Sequence, residues 1–277
     1  MKISVDFGIT VTDAIAKEDD NVINHKMLMS SEEPSEKIIK DLFPNVDFKT
    51  GVDFISVTGG KHLNIKDSIE NTPVYHVNEV DAVGEGAVTL AKLNKSKKAI
   101  IVSAGSGTAC IFAHNNKYVH CSGTGVGGGT ILGLSKLLIG TQDPSEIEEL
   151  ANKGDPTKTD LILEDVVSGP IGSLPQETTA VNFGKISKIE RHVSREDLAA
   201  GIINLVGQTA ARIATSVAIA TEASEIIVVG RSPNFIGLRS SLETAAALTN
   251  FTPHFPDNGE YASALGALLL IEKNPAK

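Results

Sequence analysis

The first strand-forming run of this chain ends in Asp6-Phe7-Gly8-Ile9-Thr10. A carboxylate at a strand end can hold metal-bound water. Turn amides and a hydroxyl beside it can meet phosphate oxygens, so the set suits a magnesium–phosphate site. An ordinary hairpin turn uses the same residue types, and this turn alone favours that plainer reading. A second turn, Ser103-Ala104-Gly105-Ser106-Gly107-Thr108, has the same design, with two glycines and three hydroxyls. Each turn lies inside an apolar hairpin, the first over Lys2–Ala16 and the second over Ala99–Ala113. Two turns whose amides face each other can hold a polyphosphate between them, and the repetition weakens the plainer reading of either.

Further segments carry weaker signals. Gly123–Gly129 holds five glycines in seven residues and a formal G-x-G-x-x-G at Gly123, Gly125 and Gly128. A dinucleotide fingerprint needs an acid at the end of the next strand; that region instead reads as a helix over Glu146–Lys153, so the fingerprint is rejected. No G-x-x-x-x-G-K-[ST] occurs, which excludes a P-loop. What remains is a flexible loop opening an apolar helix over Thr130–Ile139. Its N-terminus attracts anions, and its glycines make room for a ligand. Glu79 follows a short strand and can act as a general base on an alcohol. By itself it reads as a helix-start acid meeting the dipole, and that plainer account leads. Gly230-Arg231-Ser232 and Asn258-Gly259 sit at strand-end loops, where open α/β sheets carry their sites. The seven histidines show no paired metal-binding spacing.

The elements that must position these residues alternate between strand and helix, which implies an α/β class. Strands are expected over Val52–Thr58, Val74–Val77, Tyr118–Cys121 and Glu225–Val229. Helices are expected over Glu32–Asp41, Asp81–Leu93 and Leu238–Leu248, with a closing helix over Ala262–Glu272. Ser194 and Asp197 form a capping box for a long helix running to about Glu222. Val167–Asn182 reads as a long loop, and the polar run Asn94–Lys98 as a lobe boundary. The 277 residues are 41% hydrophobic, enough to bury a substantial core. A net charge of −9 argues against nucleic acid or an anionic membrane as the partner. The apolar stretch Leu198–Ala220 contains Asn204, Gln208 and Arg212, and reads as a buried helix, not a membrane span. Two cysteines and a strand-like start without a signal-peptide pattern fit a reducing cytoplasm.

In their order and spacing, these segments resemble type II pantothenate kinases, members of the actin-like and sugar-kinase superfamily. The similarity runs through Asp6-x-Gly8-x-Thr10, Thr58-Gly59-Gly60, Glu79-x-Asp81-Ala82 and Gly105-Ser106-Gly107-Thr108. It continues through Ser122-Gly123-Thr124, Gly127-Gly128-Gly129-Thr130, Gly133-Leu134, Gly154-Asp155, Asn182-Phe183-Gly184 and Ala264-x-Gly266-Ala267. The resemblance implies a two-lobed actin-like ATPase (ribonuclease H-like) fold, with duplicated mixed sheets flanked by helices. The lobes would span residues 1–95 and 96–277. It implies phosphorylation of the terminal hydroxyl of pantothenate by ATP and Mg2+, the committed step toward coenzyme A, in a homodimer whose interface could use the long helix after Ser194. Glu79 would be the general base. Asp6, Gly8, Ile9, Thr10, Val11, Thr12 and Asp13 would form the first phosphate loop, with Asp6 on the magnesium side, and Ser106 the second. Gly105 and His120 would meet the substrate. Gly128, Gly129, Thr130, Ile131 and Leu132 would belong to the ATP site, and Gly230–Ser232 to the adenosine edge.

The chain departs from the family pattern at three positions. Ile9 replaces a second glycine, bringing a branched side chain near the phosphates and resisting positive φ. Asp13 replaces a lysine, which sets a repulsive charge near ATP unless the side chain points away. His120 replaces a substrate-contacting arginine and is a shorter anchor for an anion. A related alcohol such as pantetheine as acceptor, or a non-catalytic nucleotide or coenzyme A sensor, therefore stands beside the pantothenate reading. Arg191, Arg195 and Arg231 are candidates to supply the missing positive charge.

Overall fold

The computed structural model describes residues 1–18, 21–30, 33–169, 171–188 and 193–274. Glu32, the expected start of the first helix, and Arg191 lie outside the described residues.

The first sheet begins with the predicted hairpin. Strands β1 (Lys2–Phe7) and β2 (Val11–Glu18) are antiparallel, and β3 (Asn21–Met29) continues the meander. Strand β3 has no counterpart in the sequence reading, since its residues mix polar and apolar types without a clean alternation. Helix α1 (Glu36–Leu42) follows, then β4 (Phe54–Gly59), β5 (Ser68–Ile69) and β6 (Thr72–His76). The six strands are ordered β3-β2-β1-β4-β6-β5, with β4 parallel to both β1 and β6.

After α2 (Glu79–Leu90) the design repeats. Strands β7 (Ala99–Ala104), β8 (Thr108–His114) and β9 (Lys117–Thr124) form a second antiparallel meander. Helices α3 (Gly128–Leu138) and α4 (Pro144–Lys153) come next. A small ribbon of β10 (Leu161–Ile162) and β11 (Thr179–Val181) encloses the short α5 (Leu163–Val166). The region expected as a plain loop thus contains a strand. Helix α6 (Arg195–Thr221) leads into β12 (Glu225–Val229), which lies parallel to β7 as β4 lies parallel to β1. Helices α7 (Ile236–Ala247) and α8 (Ala262–Lys273) close the described chain. The second sheet runs β12-β7-β8-β9.

The duplication is therefore topological: hairpin, third strand, then a parallel strand beside the first. The strands of the two sheets fall on either side of residue 95, but the helices cross over. Helix α2 packs Val83, Ala87 and Val88 on the second sheet, against Ile101, Ile111 and Ile227. Helix α8 packs Ala264 and Leu268 on Ile15 of the first sheet, and Ala267 and Ile271 near Phe54. Both helices lie between the sheets. The outer face of the second sheet carries α6 through Ile100, Val102, Ile226 and Val228, which explains why β7 and β12 are apolar runs without alternation. Helix α6 is long and apolar enough to span a membrane by those criteria, and 50% of its most apolar stretch is buried within the protein.

Helices α2 and α8 cross at backbone contact. A Cβ on Gly266 would lie 1.8 Å from the Ala82 carbonyl oxygen, and one on Gly86 would lie 1.8 Å from that of Ala262. Neither obstacle is a flexible side chain, so the helices would have to separate. Gly266→Ala is expected to destabilise the protein by about 1–3 kcal/mol through overpacking, read by thermal or urea melting. Gly133→Ala is the control. That site in α3 is exposed, with nothing within 4 Å of the added methyl, and alanine there should be neutral or stabilising by up to about 1 kcal/mol. Equal losses at both sites would overturn the crossing argument.

Candidate active site

The two hairpin turns meet. Thr10 Oγ1 and Ser106 Oγ lie 2.7 Å apart, although 96 residues separate them in sequence. The first turn is held from behind by Ser30, whose N–H donates to the Thr10 carbonyl at 2.9 Å and whose hydroxyl donates to the Gly8 carbonyl at 2.9 Å. Thr12 is turned into this support, its hydroxyl 3.1 Å from that of Ser30. A Cβ at Gly8 would lie 2.4 Å from the Val11 carbonyl oxygen, so the tightness of the turn selects glycine. Ile9 is 84% exposed at the tip and is not among the residues with positive φ. The expected conflict between isoleucine and a left-handed backbone does not arise, because the turn keeps Ile9 at negative φ.

Behind this turn Asp6 lies opposite Asp13 on β2 and opposite Thr58 on β4. Residues paired in register share a face, so both carboxylates point toward the helices between the sheets. Gly59, at φ +86°, makes room for this arrangement: a Cβ there would meet Asp6 Oδ1 at 2.4 Å. Burial raises the Asp6 carboxyl to about 7, nearby Glu79 and Asp13 push it the same way, and a hydrogen bond from Ser263 of α8 opposes them. The Thr58 hydroxyl is buried without a hydrogen-bond partner. An ionised Asp6 is thus short of positive charge, and its strand neighbour presents an idle oxygen. That donor set fits a hard divalent cation bound partly through water. Among the described residues no group of three or more His, Cys, Asp or Glu side chains converges as a metal cage, so phosphate or water oxygens would have to complete the shell.

Glu79 is the first residue of α2, exposed, directly after the cap Asn78, whose Oδ1 accepts from the N–H of Val80 at 2.9 Å. The helix starts two residues earlier than the sequence reading placed it. Glu79 is therefore a helix-start acid in geometry, and it is also close enough to Asp6 to shift it.

Around the second turn the glycine-rich segment has a different role from the expected one. The N–H groups of Gly128 and Gly129, at the start of α3, donate to the carbonyls of Gly105 and Ser106 at 2.8 and 2.9 Å. The Ser232 hydroxyl donates to the same Gly105 carbonyl at 2.9 Å. A Cβ on Gly127 would lie 2.7 Å from the backbone of Gly107. Most of these glycines serve backbone packing of the loop on the second turn, and the first amides of α3 are already occupied. Only Gly125 in this run has open space beside it, whereas Gly123 packs on β8. Thr130 closes the loop by accepting from the Gly127 N–H at 3.1 Å. Ile131 is wholly buried, and Leu132 packs on the same core, so the side chain of Ile131 cannot line a ligand site.

The adenosine-edge candidates are contiguous. Gly230, at φ +98°, donates its N–H to the Gly259 carbonyl at 2.9 Å. A cavity of about 200 Å³ opens there, lined in part by Gly230, Arg239, Phe255 and Asn258. His120 is exposed on β9 and lies 3.5 Å from where a Gly123 Cβ would stand.

Two pairings are set by the tertiary structure alone, and one of them involves Arg231, an arginine the sequence had already offered. Ser263 reaches Asp6 only because α8 folds back under β1. Arg231 forms an ion pair with Asp13, joining the loop after β12 to the first sheet. Asp13 is buried, and burial raises its carboxyl to about 6 in spite of Arg231. Arg195 is spent elsewhere, on the Ile139 carbonyl and Glu146. Gly154-Asp155 and Asn182-Phe183-Gly184 pack against α6. They clamp the β10–β11 ribbon to α6, with the buried Asp160 accepting from Asn182, Asn204 and the Phe183 N–H.

The Fumble family model matches residues 90–269. A type II pantothenate kinase of Bacillus cereus (strain ATCC 10987 / NRS 248) is 31% identical over 277 residues, covering 97% of each chain. Component A of the (R)-2-hydroxyglutaryl-CoA dehydratase of Acidaminococcus fermentans superposes with a TM-score of 0.70 at 18% identity, over 100% of this chain and 99% of the other. A ROK family glucokinase from Streptomyces griseus, solved with glucose and AMPPNP, gives a TM-score of 0.64 at 15% identity over 99% of each chain. These two likenesses carry the fold, which is the two-lobed actin-like ATPase architecture. With a full-length relative above 30% identity and a family model covering most of the chain, the protein belongs to the type II pantothenate kinase (Fumble) family.

Proposed function

We propose that this protein transfers the terminal phosphoryl group of ATP to the terminal hydroxyl of pantothenate, the first step toward coenzyme A. The observation that carries the reading is the contact of Thr10 with Ser106 across the two hairpin turns. Phosphoryl transfer needs chiefly positioning and charge stabilisation, and paired hydroxyl-bearing turns supply both. The phosphates would separate the two hydroxyls and take hydrogen bonds from each. Because α3 has given its first amides to the second turn, phosphate contacts fall to Gly8–Thr10 and Gly105–Ser106. Glu79 accepts the proton of the acceptor hydroxyl. Its place beside Asp6 supports that role, since the base must lie near the transferred group. Mg2+, when bound, neutralises charge on the phosphates, and Asp6 with Thr58 would hold it. Gly105 and His120 would line the acceptor side, and Gly230 and Ser232 the adenosine side.

The reading extends to two lobes whose sheets divide near residue 95 while α2 and α8 are exchanged between them, to the cytoplasm as its place of action, and to a homodimer. The exposed stripe Arg212, Ser216 and Ile219 on α6 supports the last. A pantetheine-like acceptor is the second reading, favoured by His120 at a position where the family carries arginine. ADP release with Mg-ATP over a panel of alcohols tests both. Pantothenate is expected to give the highest kcat/KM. Preference for pantetheine would replace the substrate, and nucleotide binding without ADP release from any acceptor would replace catalysis by sensing.

A further inference from the structure

Arg231 lies at the seam between the two sheets. Its Nη2 donates to Asp13 on β2, and its guanidinium sits 6.0 Å from the Tyr261 ring centre. Tyr261 in turn stacks on His25 of β3 at 4.2 Å. The residue is anchored between Gly230 and Ser232, and Ser232 is bonded to the second turn through Gly105. Arg231 Nε is buried without a hydrogen-bond partner. An arginine beside a carboxylate commonly engages it with two parallel donors. Here the hydrogen bond to Asp13 uses Nη2 alone, and the buried Nε is idle.

The surroundings are acidic. Asp6 and Asp13 are neighbours in register, Glu79 acts on Asp6, and Glu260 acts on Asp13. A polyanionic nucleotide entering here meets carboxylates, and among the described residues Arg231 is the cation paired with Asp13. We infer that Arg231 is the phosphate-binding cation of this chain, held by Asp13 when the cleft is empty and exchanged onto the nucleotide phosphates when it fills. The inference rests on the nucleotide-site reading above. It assigns Asp13 as a competitor of the nucleotide for Arg231, not a ligand of it.

An interlobe latch is the other role this ion pair could play, and the two roles predict different signs. A latch is broken equally by losing either partner, so Asp13→Asn and Arg231→Gln would shift nucleotide affinity together. A competing carboxylate predicts opposite shifts. Calorimetry with a non-hydrolysable ATP analogue and Mg2+, with adenosine in parallel, separates them. Arg231→Gln is expected to weaken analogue binding about 10- to 100-fold, the size of a lost charged hydrogen bond, while adenosine binding changes little. Asp13→Asn is expected to tighten analogue binding several-fold. The double variant Asp13→Asn/Arg231→Gln removes the unpaired buried carboxylate and should bind as weakly as Arg231→Gln; it carries the test if the single arginine variant folds poorly by circular dichroism. Parallel shifts in the two single variants, or equal losses for the analogue and adenosine, overturn the assignment while leaving the nucleotide site standing. A wild-type protein that binds no nucleotide overturns both.

Discussion

Replacing Glu79 by alanine is expected to lower turnover by about 10²–10⁴-fold while leaving nucleotide affinity within a few-fold of wild type. The structural cost of the change is too small to account for such a loss. Glu79 is exposed at the first position of α2, where a carboxylate contributes about 0.3–1 kcal/mol through the helix dipole. The cap itself belongs to Asn78, which remains. A second consequence follows from charge. Glu79 helps push Asp6 upward, so its removal should lower the Asp6 pKa from about 7. Single-turnover ADP release across pH, beside calorimetry with the ATP analogue, reads both effects. Near-wild-type turnover in Glu79→Ala would remove Glu79 as the base and return it to its plainer role as a helix-start acid.

Asp6→Asn should separate stability from activity. The folded pKa of Asp6, about 7, is above the ordinary 3.8, so the folded state favours the protonated acid. A group shifted this way contributes stability that is full below about pH 4 and is lost as pH rises through about 7. Asp13, at about 6, acts in the same direction. Asparagine is neutral throughout and can keep a hydrogen bond with Ser263. The variant should therefore match wild type near pH 4 and be the more stable protein at pH 8. The expected gain is on the order of 2–4 kcal/mol, the lower end allowing for screening at a side chain that is not wholly enclosed. Turnover should fall by about 10²–10³-fold, the usual cost of losing a group that organises transition-state charge. Magnesium should raise the melting temperature of wild type at pH 8 more than that of the variant, since a bound cation offsets the repulsion among Asp6, Asp13 and Glu79. Denaturant titrations at both pH values, with and without Mg2+, measure this. A less stable Asp6→Asn at pH 8 would mean that the carboxylate already has a compensating cation in the folded protein.

Local rules account for much of what the sequence determined by itself. Alternation, small-residue turns and capping residues act over a few positions, so both hairpins, Ser194 as the cap of α6, and β12 were legible. The repetition of the hairpins, together with the ordered motifs, carried the fold and the family. Short elements without strong periodicity, such as β3 and the β10–β11 ribbon, were not legible, because pairing with distant strands makes them.

Tertiary structure decided which chemistry each residue can perform. The glycines at 127–129 looked like space for a ligand, and prove to be space for the backbone of the second turn. Ile9 looked like a strained residue in the phosphate loop, yet lies exposed at an ordinary φ. Asp13 looked like a repulsive charge near ATP, and of the arginines the sequence offered it is Arg231, 218 residues away, that pairs with it. The environment of Asp6 is assembled from β2, β4, α2 and α8 together. A sequence specifies donors, acceptors and charges one position at a time. Their pKa values and partners depend on burial and on attraction or repulsion between charges through space, and only the packing of the helices between the two sheets sets those.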